Sequence, residues 1–542
     1  MSAPDERVLA RARDWAAHDP DPVTRTEIEA LIEARDPELK SRFAGPLTFG
    51  TAGLRGRVEG GESRLNLATV TIASAGLAEW LSSQVDEPSV VVGCDARYGS
   101  DAFRKAAAEV FSAAGLTVYL LPAQLPTPLT AFAVRRLGAD AGVMVTASHN
   151  PADDNGYKVY LGGRVVEVDE ERGVQLVPPA DEEIAAAIQR APWPDRIPRD
   201  GRGLRAVGPE LVSEYLDVAV ATIGEEDRDL EIVLTPVHGV GGNIALRALN
   251  RAGFGSVSVV EEQFAPDPAF PTAPRPNPEE PGVMDLAIAQ AARQGADLVL
   301  ALDPDADRLA CAVPEGDPAD EGSWRRLTGD EVGGLLGERA AKAHEEGALA
   351  SSVVSSTRLQ AIAKKHGLEW RPTLTGFKWI GRTPGLVFGY EEALGYCADP
   401  GHVRDKDGIT AALALADLAQ RRPLTERLAD LDEAYGAVAT GQLSVASESR
   451  ERLDEVSGKL RAALEPEVAG SAVAEAHGLD EGYLGLPPAA GWLVVTERGD
   501  RVLARPSGTE PKLKCYLEAK ADTRAAALER LEELKAAVSR LL

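Results

Sequence analysis

Continuous apolar runs alternate with stretches of helical period over most of the chain. VVVGCDAR (90–97), LTVYLLP (116–122) and AGVMV (141–145) have the length and bounding turns of buried strands. Between them, DAFRKAAAEVFSAAG repeats its apolar positions three and four residues apart, which predicts a helix with one buried face. The alternation returns at EIVLTPVHGVGG (231–242) and ADLVLAL (296–302). Strands separated by helices need crossover connections, so the pattern predicts mainly parallel sheets. The first forty-odd residues predict one or two amphipathic helices before the first strand. GWLVVTER (491–498), RVLARP (501–506) and KLKCYLEAK (512–520) predict strands, followed by a helix to Leu542. The fold class is therefore α/β with mixed, mainly parallel sheets, ending in a smaller α+β unit. A Pro- and Gly-rich stretch, WPDRIPRDGRG (193–203), precedes a helix at 209–222, and LTGDEVGGLLGERAAKA opens another unit. These breaks divide the chain into 1–208, 209–325, 326–436 and 437–542, with no internal repeat.

Composition narrows the class. At 542 residues with 44% hydrophobic content, the chain can build several cores. Cys94, Cys311, Cys397 and Cys515 are far apart and form no CxxC pair, so they read as reduced core residues and favour a cytoplasmic location. There is no apolar leader at the amino terminus and no run of 18 apolar residues, which predicts neither signal peptide nor membrane span. Lys plus Arg number 58 against 85 Asp plus Glu, a net charge of −27. That balance argues against nucleic acid or an anionic membrane as partner. An anionic substrate must then be drawn in by local cations, for which Arg55, Lys158, Arg308, Lys378, Arg505 and Lys512 are candidates. Nothing in the sequence specifies an oligomeric state.

Three loops carry the candidate chemistry. Thr146-Ala147-Ser148-His149-Asn150-Pro151 follows the strand AGVMV and ends in a turn-favouring Asn-Pro. It is either a plain polar turn or a serine presented past the carboxyl end of a strand, where open α/β sheets place their chemistry. Asp303-Pro304-Asp305-Ala306-Asp307-Arg308 follows ADLVLAL. Three alternating carboxylates on one turn are either a solvated acidic turn or ligands converging on a hard divalent cation, since like charges repel at close range. A calcium EF-hand fails, because Arg308 and Pro314 stand where its Gly and Glu are required. Arg505-Pro506-Ser507-Gly508-Thr509-Glu510-Pro511-Lys512 holds two cations, two hydroxyls and a glycine. It is a hairpin turn or an oxyanion cradle. HGVGG (238–242) lacks the third glycine of a dinucleotide loop, and Ser148 is in no GxSxG elbow. His402 and the Lys406-Asp407-Gly408 turn lie near substrate or form a structural turn.

Together with FGTAGLRG (49–56), DNGYKVY (154–160) and GYEEALGY (389–396), these loops resemble the motifs of the α-D-phosphohexomutase superfamily, in its order and from Phe49 to Tyr516. Members are phosphoglucomutases, phosphomannomutases and related phosphopentomutases. The resemblance implies three related α/β domains and a smaller carboxyl-terminal domain around a central cleft. Two departures stand out: Pro304 where the family usually has Gly, and Ala393 where many members have a sugar-binding Ser. Ala393, with TGFKWIG (375–381) and HGVGG, is similar to the branch holding phosphopentomutase and glucose-1,6-bisphosphate synthase along with many bacterial phosphohexomutases.

The resemblance implies a mutase that interconverts hexose 1-phosphate and hexose 6-phosphate, glucose favoured and mannose possible, through phosphorylated Ser148 and a hexose 1,6-bisphosphate. Phosphopentomutase or bisphosphate synthase chemistry on the same serine is the alternative. Mg²⁺ is expected at Ser148, Asp303, Asp305 and Asp307, with glucose 1,6-bisphosphate as activator. Arg308, Glu391, Arg505, Ser507, Gly508, Thr509 and Lys512 are expected to bind the phosphosugar, and Arg55, His149, Lys158 and Lys378 to assist the chemistry. Lys158, ranked first as general base, or Lys378 would need a pKa lowered from about 10.4, by neighbouring cations such as Arg55.

Overall fold

The computed structural model describes all residues except 1–3, 51, 225–227, 448 and 508–511. Two compact units emerge: residues up to Arg326 together with Gly395–Gln420, and Leu327–Leu394 together with Arg421–Leu542.

The first unit opens with the helices Glu6–His18 and Pro22–Ala34, as the amphipathic pattern predicts. Its first sheet runs Leu54–Arg57, Asp154–Leu161, Ala141–Val145, Ser89–Cys94, Thr117–Leu120, Leu204–Ala206. The last four pair in parallel, and the first two are antiparallel additions. Val90, Val92, Val143 and Val145 are fully buried beneath Leu77 and Phe111 of the flanking helices, which is why these strands read as unbroken apolar runs. A capping box at Asn66 and Thr69 starts the helix Leu67–Gln84, and Gly138 (φ 63°) stops Thr127–Leu137. The second sheet runs Trp324–Arg326, Leu309–Pro314, Leu298–Leu302, Ile232–Thr235, Val257–Val259. In each sheet a buried strand, Ala141–Val145 or Leu298–Leu302, delivers its carboxyl end directly into one of the chemical loops.

In the second unit, Glu369–Thr373, Ala348–Ser352 and Leu386–Glu391 pair in parallel. A separate antiparallel sheet runs Ala437–Ala446, Lys512–Ala521, Arg501–Pro506, Trp492–Thr496, Ser471–Gly478, Glu467–Val468. The helices Arg450–Leu464 and Arg524–Ser539 supply Leu453, Leu460, Leu531 and Leu534 to the core under that sheet. Thr357 donates its amide and hydroxyl to Glu518, tying the two sheets of this unit together. Among the described residues, no helix is long and apolar enough to cross a membrane.

Candidate active site

Ser148 sits one turn beyond its strand with φ 52°, a left-handed conformation that is costly for a residue with a Cβ. Its amide donates to Thr146 Oγ1 (2.9 Å), and its hydroxyl donates to Asp303 Oδ2 (2.7 Å). The side chain is thus aimed at the acidic loop of the second sheet. Thr127, at the start of its helix, holds the two loops in register by donating its amide to Asp305 O (2.9 Å) and its hydroxyl to Asp305 Oδ2 (2.6 Å).

Asp303, Asp305 and Asp307 are fully buried, and one oxygen from each lies within 4.8 Å of the others. The loop is shaped by the HGVGG turn. A Cβ on Gly239 would lie 2.4 Å from Pro304 Cα, and one on Gly241 would lie 2.6 Å from Ala306 Cβ. Val240 donates its amide to Pro304 O (2.9 Å). Glycine at 239 is therefore what lets the turn touch a loop with proline at 304. Gly408 donates its amide to Ala306 O (3.1 Å), closing the other side.

The triad fits a hard cation. Among the described residues, Asp305 Oδ1 and Asp307 Oδ1 are buried with no hydrogen-bond partner, and an all-oxygen set of three suits Mg²⁺. Burial, with Asp305 and Asp307 alongside, pushes the Asp303 carboxyl well above the usual range. Against the pull of burial, Lys158, Lys406 and Arg308 hold Asp307 well below it, and Lys158 lowers Asp305.

Lys158 corrects one expectation. Burial alone would lower its pKa, as a general base requires, but Asp305 Oδ2 (2.7 Å) and Asp307 Oδ2 (2.9 Å) outweigh burial and raise it. With the triad in this arrangement Lys158 is an ammonium counter-ion, and Arg55 does not offset that pairing. Lys406 joins it, 3.0 Å from Asp307 Oδ2. Its turn is fixed by Tyr160 donating to Asp405 Oδ2 (2.9 Å) and Tyr215 donating to Asp407 (2.9 Å). The Lys-Asp-Gly turn is thus part of the site, an alternative the sequence had left open.

Arg55 donates to Asn150 Oδ1 (3.0 Å) and so braces the serine loop. His149 Nδ1 stands 4.0 Å from Asp303 Oδ2. Burial, then Arg308 and Arg55, holds its pKa well below the ordinary value, so the imidazole is neutral. Arg308 donates its amide to Asp303 Oδ1 (3.0 Å), and its Nε is 3.6 Å from Asp307 Oδ1. Ser148, His149, Lys158, Arg55, Arg308 and the triad therefore converge within one unit.

The second unit assembles the remaining candidates. Gly376 donates its amide to Glu391 Oε1 (2.7 Å), while Ser352 and Ser355 donate to Glu392 Oε2. Lys378, Trp379, Tyr483, Arg505 and Ser507 line a cavity of about 320 Å³. Ser507 donates its amide to Lys512 O (2.8 Å). Glu391 and Lys512 are not among the residues lining that cavity, and Gly508 and Thr509 lie outside the described residues.

Four segments match the domains of one family. Residues 46–193, 212–316 and 328–435 match phosphoglucomutase/phosphomannomutase alpha/beta/alpha domains I, II and III, and 451–536 match its C-terminal domain. The chain is 42% identical to a probable phosphomannomutase of Haemophilus influenzae, covering 84% of this chain and 93% of that protein. It is 33% identical to human phosphopentomutase (95% and 92%) and 31% identical to a Staphylococcus aureus phosphoglucomutase (90% and 92%). The fold matches a phosphoglucomutase/phosphomannomutase family protein of Burkholderia thailandensis at TM-score 0.68 and 21% identity, over 91% and 97% of the two chains.

Proposed function

Starting from a chain that belongs to the α-D-phosphohexomutase superfamily, with all four phosphoglucomutase/phosphomannomutase domains, we propose that it interconverts hexose 1-phosphate and hexose 6-phosphate, glucose favoured and mannose accepted. The observation that carries this reading is Ser148, held in a left-handed conformation with its hydroxyl 2.7 Å from Asp303 at the buried triad. Phosphorylated Ser148 gives its phosphoryl group to the free hydroxyl of the sugar monophosphate, leaving serine and a hexose 1,6-bisphosphate. The other phosphate of that bisphosphate then returns to Ser148, which releases the isomeric monophosphate and restores the phosphoserine.

The residues divide the work. Asp303, Asp305 and Asp307 would hold Mg²⁺. A cation held there would neutralise phosphoryl charge. Arg308 and neutral His149 face the same oxygens, and Arg55 fixes the loop that carries Ser148. Lys158, paired as an ammonium with Asp305 and Asp307, adds positive charge for the transferring phosphoryl group. In the second unit Glu391 accepts sugar hydroxyls, while Arg505, Ser507, Gly508, Thr509 and Lys512 hold the phosphate that is not transferred. Lys378, beside Arg505 in the 320 Å³ cavity, adds positive charge.

Pentose phosphates form the second reading. It is supported by Ala393, which removes a hydroxyl from the sugar loop, and by the likeness to phosphopentomutase. Incubation with glucose 1,6-bisphosphate and Mg²⁺ tests the central step. One phosphoryl group on Ser148 by peptide mass spectrometry, absent from Ser148→Ala, is the expected result; phosphate on another residue, or none, contradicts it.

A further inference from the structure

The serine loop is irregular: Ser148 is buried, His149 and Asn150 are half-buried and Pro151 is exposed, and buried carbonyl groups need donors. One side chain reaches four of the carbonyls around it. Arg97, 4% exposed, donates from one guanidinium nitrogen to Ser148 O (2.7 Å) and Asn150 O (2.5 Å). The other donates to Pro151 O (2.8 Å) and Asp154 O (2.9 Å). Four of its five N–H donors are thus spent on the backbone around Ser148. Its Nε faces Asp95 Oδ2 at 3.5 Å, and the Phe270 ring lies 4.9 Å from the guanidinium carbon. Asp95 is itself fixed, since its Oδ1 accepts the Arg97 amide (3.0 Å) and the Ser100 hydroxyl (2.6 Å).

We infer that Arg97 is a positioning residue for phosphoryl transfer: its guanidinium holds Ser148 in the left-handed conformation that aims the hydroxyl at the acidic triad. A backbone strained at one residue persists only where its surroundings over-determine it. Here that constraint acts on the carbonyl of Ser148 itself, opposite the Thr146 hydroxyl that fixes the amide. Without the Arg97 bond the loop can relax toward φ below zero, which turns Oγ away from Asp303. Lysine is no substitute, because a single ammonium with three donors cannot span four carbonyls. Arg97 touches neither substrate nor phosphate in this assignment. It acts only through the loop.

The inference rests on the reading of Ser148 as the phosphoryl carrier, and the experiment separates the two. Arg97→Lys, Phe270→Leu and Ser148→Ala are compared with the wild-type enzyme by steady-state kinetics on glucose 1-phosphate, and by the single-turnover rate of Ser148 phosphorylation from glucose 1,6-bisphosphate. All assays run well below each variant's melting temperature. For Arg97→Lys a fall in kcat of about 100-fold, with KM within about twofold, is expected, since misplacement of a reacting group by ~1 Å costs that much. Phosphorylation of Ser148 slows by the same factor. A merely structural role would lower the melting temperature and leave the kcat of the folded fraction intact. Should Arg97→Lys not fold, Phe270→Leu decides: a several-fold loss of kcat at constant KM supports the inference, and an unchanged kcat overturns it. Wild-type kcat in folded Arg97→Lys, with Ser148→Ala inactive, overturns the inference alone. An active Ser148→Ala overturns the reading beneath it.

Discussion

Gly239→Ala tests how the metal loop is held. Gly239 does not have a positive φ, so alanine meets no backbone penalty there, and the whole effect is steric. The new methyl would lie 2.4 Å from both Pro304 Cα and Pro304 O, and 2.7 Å from Pro304 C. Such contacts must open to at least 3.0 Å, and the neighbour is backbone, not a side chain that can swing aside. Either the HGVGG turn retreats and loses the Val240 N–H to Pro304 O bond, or the loop shifts and carries Asp303 and Asp305 with it. Overpacking of this kind costs about 1–3 kcal/mol. A shift of ~1 Å in the triad also costs about 100-fold in kcat/KM. The assay is the initial rate of glucose 1-phosphate isomerisation across an Mg²⁺ series, paired with thermal melts. Gly255→Ala, whose methyl meets nothing within 4 Å, is the matched control. If Gly239→Ala keeps the wild-type kcat/KM and Mg²⁺ dependence, the buttress is not what sets the triad's geometry.

Three further outcomes follow from the same site. Lys158→Met leaves Asp305 without its ion pair, so the metal-free protein should lose about 3–5 kcal/mol, while its gain in melting temperature on adding Mg²⁺ becomes larger than that of wild type. In wild type, Mg²⁺ at 100 times its Kd should stabilise the fold by about 2.7 kcal/mol, measured by denaturant unfolding with and without EDTA. Burial pushes the Asp407 carboxyl up to about 6, so the folded state binds its proton more tightly than the unfolded chain. Its contribution is fully present below the unfolded value of 3.8 and is lost as pH rises through about 6. The stability of wild type minus Asp407→Asn should therefore fall between those values, by up to roughly 3 kcal/mol, and stay flat above them.

The parts legible in the sequence are those whose residue types are costly without a purpose. Three alternating aspartates and a serine ahead of Asn-Pro stand out because nothing local favours them, and both follow apolar runs long enough to be buried strands. What stayed hidden depends on partners distant in the chain. Arg97 lies about fifty residues from the carbonyls it holds and looks like the end of a strand. Lys406 is an ordinary turn lysine until Tyr160 and Tyr215 pin its neighbours against the metal loop. The same blindness reversed the reading of Lys158, because the expected cations are outweighed by two carboxylates from another sheet. HGVGG was legible as a glycine turn, but its reason is the backbone at Pro304, more than sixty residues on. In the last unit, Ala437–Ala446 and Ser471–Gly478 dilute Val438, Thr440, Val445 and Val473 with Ala, Ser, Gly and polar residues, and their pattern is too weak to read as strands.

The most direct measurement is ³¹P NMR of the protein with Mg²⁺ and a trace of glucose 1,6-bisphosphate, offered glucose 1-phosphate, mannose 1-phosphate and ribose 1-phosphate together. Ser148→Ala serves as control. Conversion of glucose 1-phosphate, and more slowly mannose 1-phosphate, to the 6-phosphates without inorganic phosphate, and lost in the variant, is what the account predicts. Inorganic phosphate as the main product, or isomerisation that survives in Ser148→Ala, would contradict it.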